Sequence, residues 1–142
     1  AEASFDRGLN SAAEQAKAIE QAPREIAALN DVRLAELVDM SATSPTGAII
    51  EAWKDVEQAA RNLAERSGKP MSSSELGRMF NLESFLVRNE LLPNAEIETF
   101  RNLRALRNRA AHDNESKVSA TSARKYVRIA DQLVDTIESL TS

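Results

Sequence analysis

The sequence predicts an all-α protein, a bundle of four to five main helices with an extra N-terminal helix. Apolar residues recur at spacings of three and four along most of the chain, and no segment alternates as a strand would. Four glycines and four prolines in 142 residues leave little material for the turns of a sheet protein. The breaks between periodic segments also carry helix punctuation, with serine or asparagine before an apolar run and glycine or proline after it.

Phe5, Leu9, Ala12, Ala16 and Ile19 form a narrow, alanine-rich stripe that Pro23 interrupts. Such a stripe suits a connector or a dimer arm. Residues 24–40 carry a second tract with Ile26, Leu29, Leu34, Leu37 and Val38, expected to break near Asn30 and Asp31. Ser44 is placed to cap the next helix, with Pro45 at the first helical position, where its missing N–H costs nothing. That helix is expected to run to about Ser67 and to stop at Gly68, with Pro70 beyond. Its apolar face is Ile49, Ala52, Trp53, Val56, Ala60 and Leu63, with the single tryptophan as core anchor.

Ser72, Ser73 and Ser74 cap a short helix containing Leu76, Met79 and Phe80, and a second short helix with Phe85, Leu86 and Leu91 ends at Pro93. Asn94 is the expected cap of a longer helix, whose first turn holds Glu96 and Glu98 where the helix dipole favours anions. It should end near His112, because Asp113 and Asn114 favour turns. Ser119 or Thr121 opens the last helix, with Tyr126, Ile129, Ala130, Leu133, Ile137 and Leu140 on one face. The organisation expected is an N-terminal helical extension or connector over residues 1–40 and a bundle over residues 41–142.

Composition narrows the chemistry. There is no cysteine, so disulfides, thiolate metal sites and cysteine nucleophiles are excluded. One histidine and no H-E-x-x-H pattern argue against a conventional zinc site, and no metal or cofactor is expected. A formal charge of −4 opposes nucleic-acid binding over the whole surface while allowing one local basic patch. No apolar run reaches the roughly 20 residues of a membrane span, and a cytoplasmic location is expected. A chain opening on Ala1 rather than methionine is expected to be trimmed or processed, which leaves room for a tethering segment before it.

The chemically distinctive stretch is Leu103 to His112. Four arginines, at 101, 104, 107 and 109, precede the lone histidine with no acid among them. At about 100° per residue, Arg107 falls between Phe100 and Leu103, inside the apolar sector. Arg101, Asn108 and His112 share one polar edge, and Arg109 points to the solvated side. A buried guanidinium needs an anionic partner or loses several kcal/mol on desolvation. Glu57 intrudes in the same way on the apolar face of the Trp53 helix, so a Glu57–Arg107 ion pair is expected, either as a structural pin or as part of a polar centre. His112 has two readings as well: a stabiliser of its helix C-terminus, or a general acid/base.

Arg107-Asn108-x-x-x-His112 resembles the R-N-x-x-x-H signature of HEPN domains, helical bundles found in ribonuclease toxins, antiphage systems and RNA-processing proteins. The resemblance covers about residues 44–140. It implies a symmetric homodimer whose two motif helices form one composite cleft, with RNA as substrate and the RNA 2′-hydroxyl as the nucleophile of a metal-independent endoribonuclease. His112 would then move protons, Arg107 would contact the phosphate and Asn108 would assist as a polar helper. Arg101 and Arg104 would widen the electropositive mouth. A cognate antitoxin or a neighbouring domain is the implied protein partner. The alternative is a noncatalytic helical dimerisation or interaction module of a larger regulatory or membrane-tethered protein.

Overall fold

In the computed structural model the described residues are 5–10, 24–70, 79–112 and 117–140, and among them the structure is helical with no strand. The helical segments are α1 (5–10), α2 (Arg24–Thr43), α3 (Pro45–Arg66), α4 (Met79–Arg88), α5 (Asn94–His112) and α6 (Ala120–Ser139). The pairing of α3 with α6 is the most extensive, α2 lies against both, and α5 packs on α3 and α6.

Local chemistry sets most of these boundaries. Pro45 is the first residue of α3, as its fixed φ and missing donor favour. Ser44 precedes it, but its side chain makes no capping bond. Gly68 ends the segment at φ +70°, a left-handed position that glycine adopts without a Cβ clash. Ser119 caps α6, its side chain accepting the Ser122 amide at 3.0 Å.

Several expectations shift. Helix α2 runs unbroken through Asn30 and Asp31 to Thr43, so the division at residue 40 falls inside a helix. That helix packs on α3 and α6 as part of the bundle. Phe5 and Leu9 are each 1% exposed and belong to the same core, so α1 is docked rather than projecting. Asp6 and Ser122 reinforce that docking, the Ser122 hydroxyl donating to the carboxylate at 2.6 Å. Ala12, Ala16, Ile19, Pro23 and the serines at 72–74 lie outside the described residues. Met79 and Phe80 fall in the same helix as Phe85. Asn94 is the first helical residue of α5 rather than its cap, and the Pro93 carbonyl accepts the Ile97 amide at 3.1 Å.

The core joins Ile49, Val56 and Leu63 of α3 to Phe85 of α4, Phe100 and Leu103 of α5, and Tyr126 and Ile137 of α6. Trp53, 4% exposed, meets the Phe100 ring at a centroid distance of 5.1 Å and a 57° tilt. Tilted aromatic pairs of this kind contribute about 0.5–1.5 kcal/mol beyond their buried area. The sole tryptophan is thus the core anchor that its helical position indicates. At the far end of α3, Arg66 donates to the Ile137 and Leu140 carbonyls, both at 3.2 Å, closing the C-terminus of α6. A cation there meets carbonyls with no helical donor and the negative end of the dipole.

Candidate functional site

Helix α5 carries the arginine-histidine stretch, and its register is fixed by Ile97, Phe100, Leu103, Leu106 and Ala110, all buried. Arg107 lies one turn after Leu103 and is half-buried. Its Nε is shut off from solvent and has no hydrogen-bond partner among the described residues. Its Nη1 reaches the exposed Asn108 and donates to Oδ1 at 3.2 Å. His112, the last residue of α5, is exposed.

The inward direction of Arg107 is therefore correct, but the ion pair expected of it is not formed. Glu57 instead accepts from Arg61 on its own helix at 2.9 Å. The physical reason is the length of the arginine stem. It lies over the apolar surface with Nε covered and unpaired among the described residues, while Nη1 emerges at the polar edge to reach Asn108, so the charge is met there rather than by a buried anion. Glu57 meanwhile finds a cation four residues along the same helix face.

The hydroxyl of Tyr126 lies beneath the same turn and donates to the Leu103 carbonyl at 2.8 Å. Burial pushes the Tyr126 phenol well above its usual range, and the positive charge of Arg107 acts weakly in the opposite direction. A phenol fully buried against α5 stays protonated and acts as a donor.

Arg101 and Arg104 stand differently. Arg101 Nε reaches Glu83 Oε2 at 2.8 Å, and its Nη1 reaches Glu98 at 3.1 Å. Arg104 Nη1 meets the other Glu83 oxygen at 2.6 Å. One carboxylate on α4 thereby serves two guanidinium groups, and these ion pairs hold the Arg101 pKa above its ordinary value. The broad electropositive mouth expected from Arg101 and Arg104 is offset at its source. Of the four arginines of α5, Arg107 and the half-buried Arg109 have no carboxylate partner among the described residues, and Arg107 is the one whose end lies beside Asn108.

Glu83 is the residue that reading along the chain overlooks. It is the one acid of α4, set in an otherwise apolar and neutral run before Arg88. Arg101 and Arg104 lie three apart on one edge of α5, a spacing that invites a shared anion. Among the described residues, no group of three or more His, Asp or Glu side chains is placed to hold a metal ion. Among the same residues, no helix is long and apolar enough to cross a membrane. Comparison with models of protein families, with curated proteins and with solved structures finds no match to the chain.

Proposed function

We propose that the chain is a HEPN-like helical domain that binds RNA through Arg107, Asn108 and His112 and, as a homodimer, cleaves it without a metal ion. The observation supporting this reading is the contrast among the arginines of α5. Arg101 is paired with Glu83 and Glu98 and Arg104 with Glu83, whereas Arg107 has no carboxylate partner among the described residues and ends beside Asn108.

The chemistry follows from those groups. The Nη atoms of Arg107 hold a non-bridging phosphate oxygen and stabilise the charge that builds up there as the 2′-oxygen attacks phosphorus. The 2′-hydroxyl loses its proton, a 2′,3′-cyclic phosphate forms, and the 5′-oxygen leaves with a proton. His112 supplies proton transfer from the exposed end of the helix. Asn108 keeps the guanidinium at the edge by accepting from it.

A second reading has its own observation. The Glu83 carboxylate removes much of the positive charge next to the motif, which suits a noncatalytic dimerisation or interaction module. Incubating the chain with single-stranded RNA in EDTA separates the two. Cleavage that is lost in His112→Ala and Arg107→Ala supports the ribonuclease. A dimer in sedimentation that neither binds nor cuts RNA supports the module. Cleavage that persists in His112→Ala removes that residue from the mechanism.

A further inference from the structure

A cavity of about 290 Å³ opens between α2, α3 and α6, with Leu37 and Val134 among its apolar walls. Asp131 of α6 lines it, half-buried, and makes no hydrogen bond or ion pair among the described residues. The charges around it are mostly of its own sign. Asp55 of α3 and Glu138 of α6 line the same cavity, and Asp135 of α6 and Asp31 of α2 are near enough to act on Asp131 electrostatically. Arg33 of α2 is the one cation lining the cavity, and it is paired with Asp55 of the same lining and with Glu51 rather than with Asp131. Its Nε meets Asp55 at 2.8 Å and its Nη2 meets Glu51 at 3.3 Å.

Over residues 31–43 of α2, Leu37 is the buried apolar side chain, Leu34, Val38 and Met40 are partly covered, and Val32 is 72% exposed. This stretch buries fewer apolar side chains than α3 or α6, and segments with less buried apolar contact open at lower free energy than the core. The ion pairs of Arg33 hold α2 to α3, while an ionised Asp131 beside Asp31 opposes the same closure.

We propose that Asp131 makes the docking of α2 on α3 and α6 proton-dependent, the seam tightening when this carboxyl is protonated and loosening when it ionises. Withdrawal of α2 admits water to the cavity and removes Asp31, so the open form favours the charged carboxylate. Burial first, and then the neighbouring carboxylates, lift Asp131 from its ordinary 3.8 to about 7 in the closed form. The closed form therefore takes up a proton that the open form releases, and closure weakens as pH rises toward neutrality.

Hydrogen exchange of the full chain, followed from about pH 6 to pH 8 and corrected for intrinsic rates, reads this directly. Amides of residues 33–43 are expected to lose about tenfold in protection across that range, while the α3 core keeps its protection. In Asp131→Asn, a neutral isostere, protection of α2 at about pH 8 rises toward the value the wild type shows in acid, and its pH dependence disappears. Glu138→Gln keeps the titrating group but removes a neighbouring charge, so the transition moves to lower pH. Parallel profiles for wild type and Asp131→Asn, or an unmoved transition in Glu138→Gln, overturn the proposal.

Discussion

Tyr126 on α6 donates its fully buried hydroxyl to the Leu103 carbonyl on α5 at 2.8 Å. Within a helix, that carbonyl also accepts the amide four residues on, which here belongs to Arg107. The bond thus ties the turn that begins the arginine-histidine edge to the centre of the last helix. Tyr126→Phe keeps the ring volume and removes one hydrogen bond, while Leu103 retains its helical donor. The expected cost is about 0.5–1.5 kcal/mol, read as a lower urea midpoint with an unchanged slope. An unchanged midpoint would mean that this bond contributes nothing net.

Glu83 supplies the functional counterpart. Glu83→Gln releases Arg101 and Arg104 from their shared carboxylate. Stability should fall, mainly through Arg104, because Glu83 is 14% exposed and removing its charge leaves the 29% exposed Arg104 guanidinium without its partner. If the chain binds RNA as proposed, affinity should rise and its dependence on salt should steepen, chiefly through Arg104, because Arg101 keeps Glu98. Titration of labelled RNA at several salt concentrations checks this. Equal affinity and slope in the two proteins would place the RNA contact elsewhere.

These two residues show what the sequence makes legible and what it does not. The frame of α3 and α6 is local, written in Pro45, Gly68 and Ser119, and those signals hold. The inward angle of Arg107 follows from helical geometry alone. Its pairing does not, because a wheel gives the direction of Cβ and not the reach of a long stem to Asn108. Glu83 pairs with Arg101 across 18 residues, a relation that exists only after two helices pack. The continuity of α2 through Asn30 and Asp31 is likewise a tertiary effect, with packing on α3 and α6 overriding weak propensity.

Two glycines in helices should respond in opposite directions to alanine. A Cβ on Gly8 would sit 2.8 Å from Leu106 Cδ2, and Leu106 is 2% exposed in the core. Overpacking of this kind costs about 1–3 kcal/mol, more than the helix propensity gained. A Cβ on Gly47 would press on the Ser44 hydroxyl, which is exposed, makes no capping bond and can rotate away, leaving the Ser44 Cβ at 3.3 Å to give by a few tenths of an ångström. Gly47→Ala should then gain up to about 1 kcal/mol from propensity. Thermal melts of the two variants check the pair, and a stabilised Gly8→Ala would contradict the close docking of α1.

Glu90 holds φ at +53°, in the left-handed region. It ends α4 in a Schellman turn, with the Leu91 amide on the Leu86 carbonyl at 2.9 Å and its own amide on Val87 at 3.1 Å. A side chain there costs about 1–2 kcal/mol, and glycine returns part of that gain through a freer unfolded chain. Glu90→Gly is expected to stabilise by roughly 0.5–1 kcal/mol. Chemical denaturation decides it, and a destabilised variant would show that the Glu90 side chain makes a compensating contact.

The pH dependence of global stability follows from three carboxylates. Asp131 rises from 3.8 to about 7 on folding, through burial and then its acidic neighbours. Between those values the folded chain holds a proton that the unfolded chain has lost, so stability falls as pH rises and levels off above about 7. Glu96, 5% exposed in the first turn of α5, is also raised by burial and adds to the same slope just above its ordinary 4.5. Glu51 acts with the opposite sign. Lys54 and then Arg33 hold it below its ordinary 4.5, so its contribution is complete above that value and is lost as pH falls through its lower folded value. The expected profile has its maximum in mild acid and declines toward about pH 8. Urea unfolding across that range measures it. Asp131→Asn should flatten the decline and be more stable than wild type at the alkaline end, whereas a wild type that gains stability from about pH 5 to pH 8 would refute the assignment.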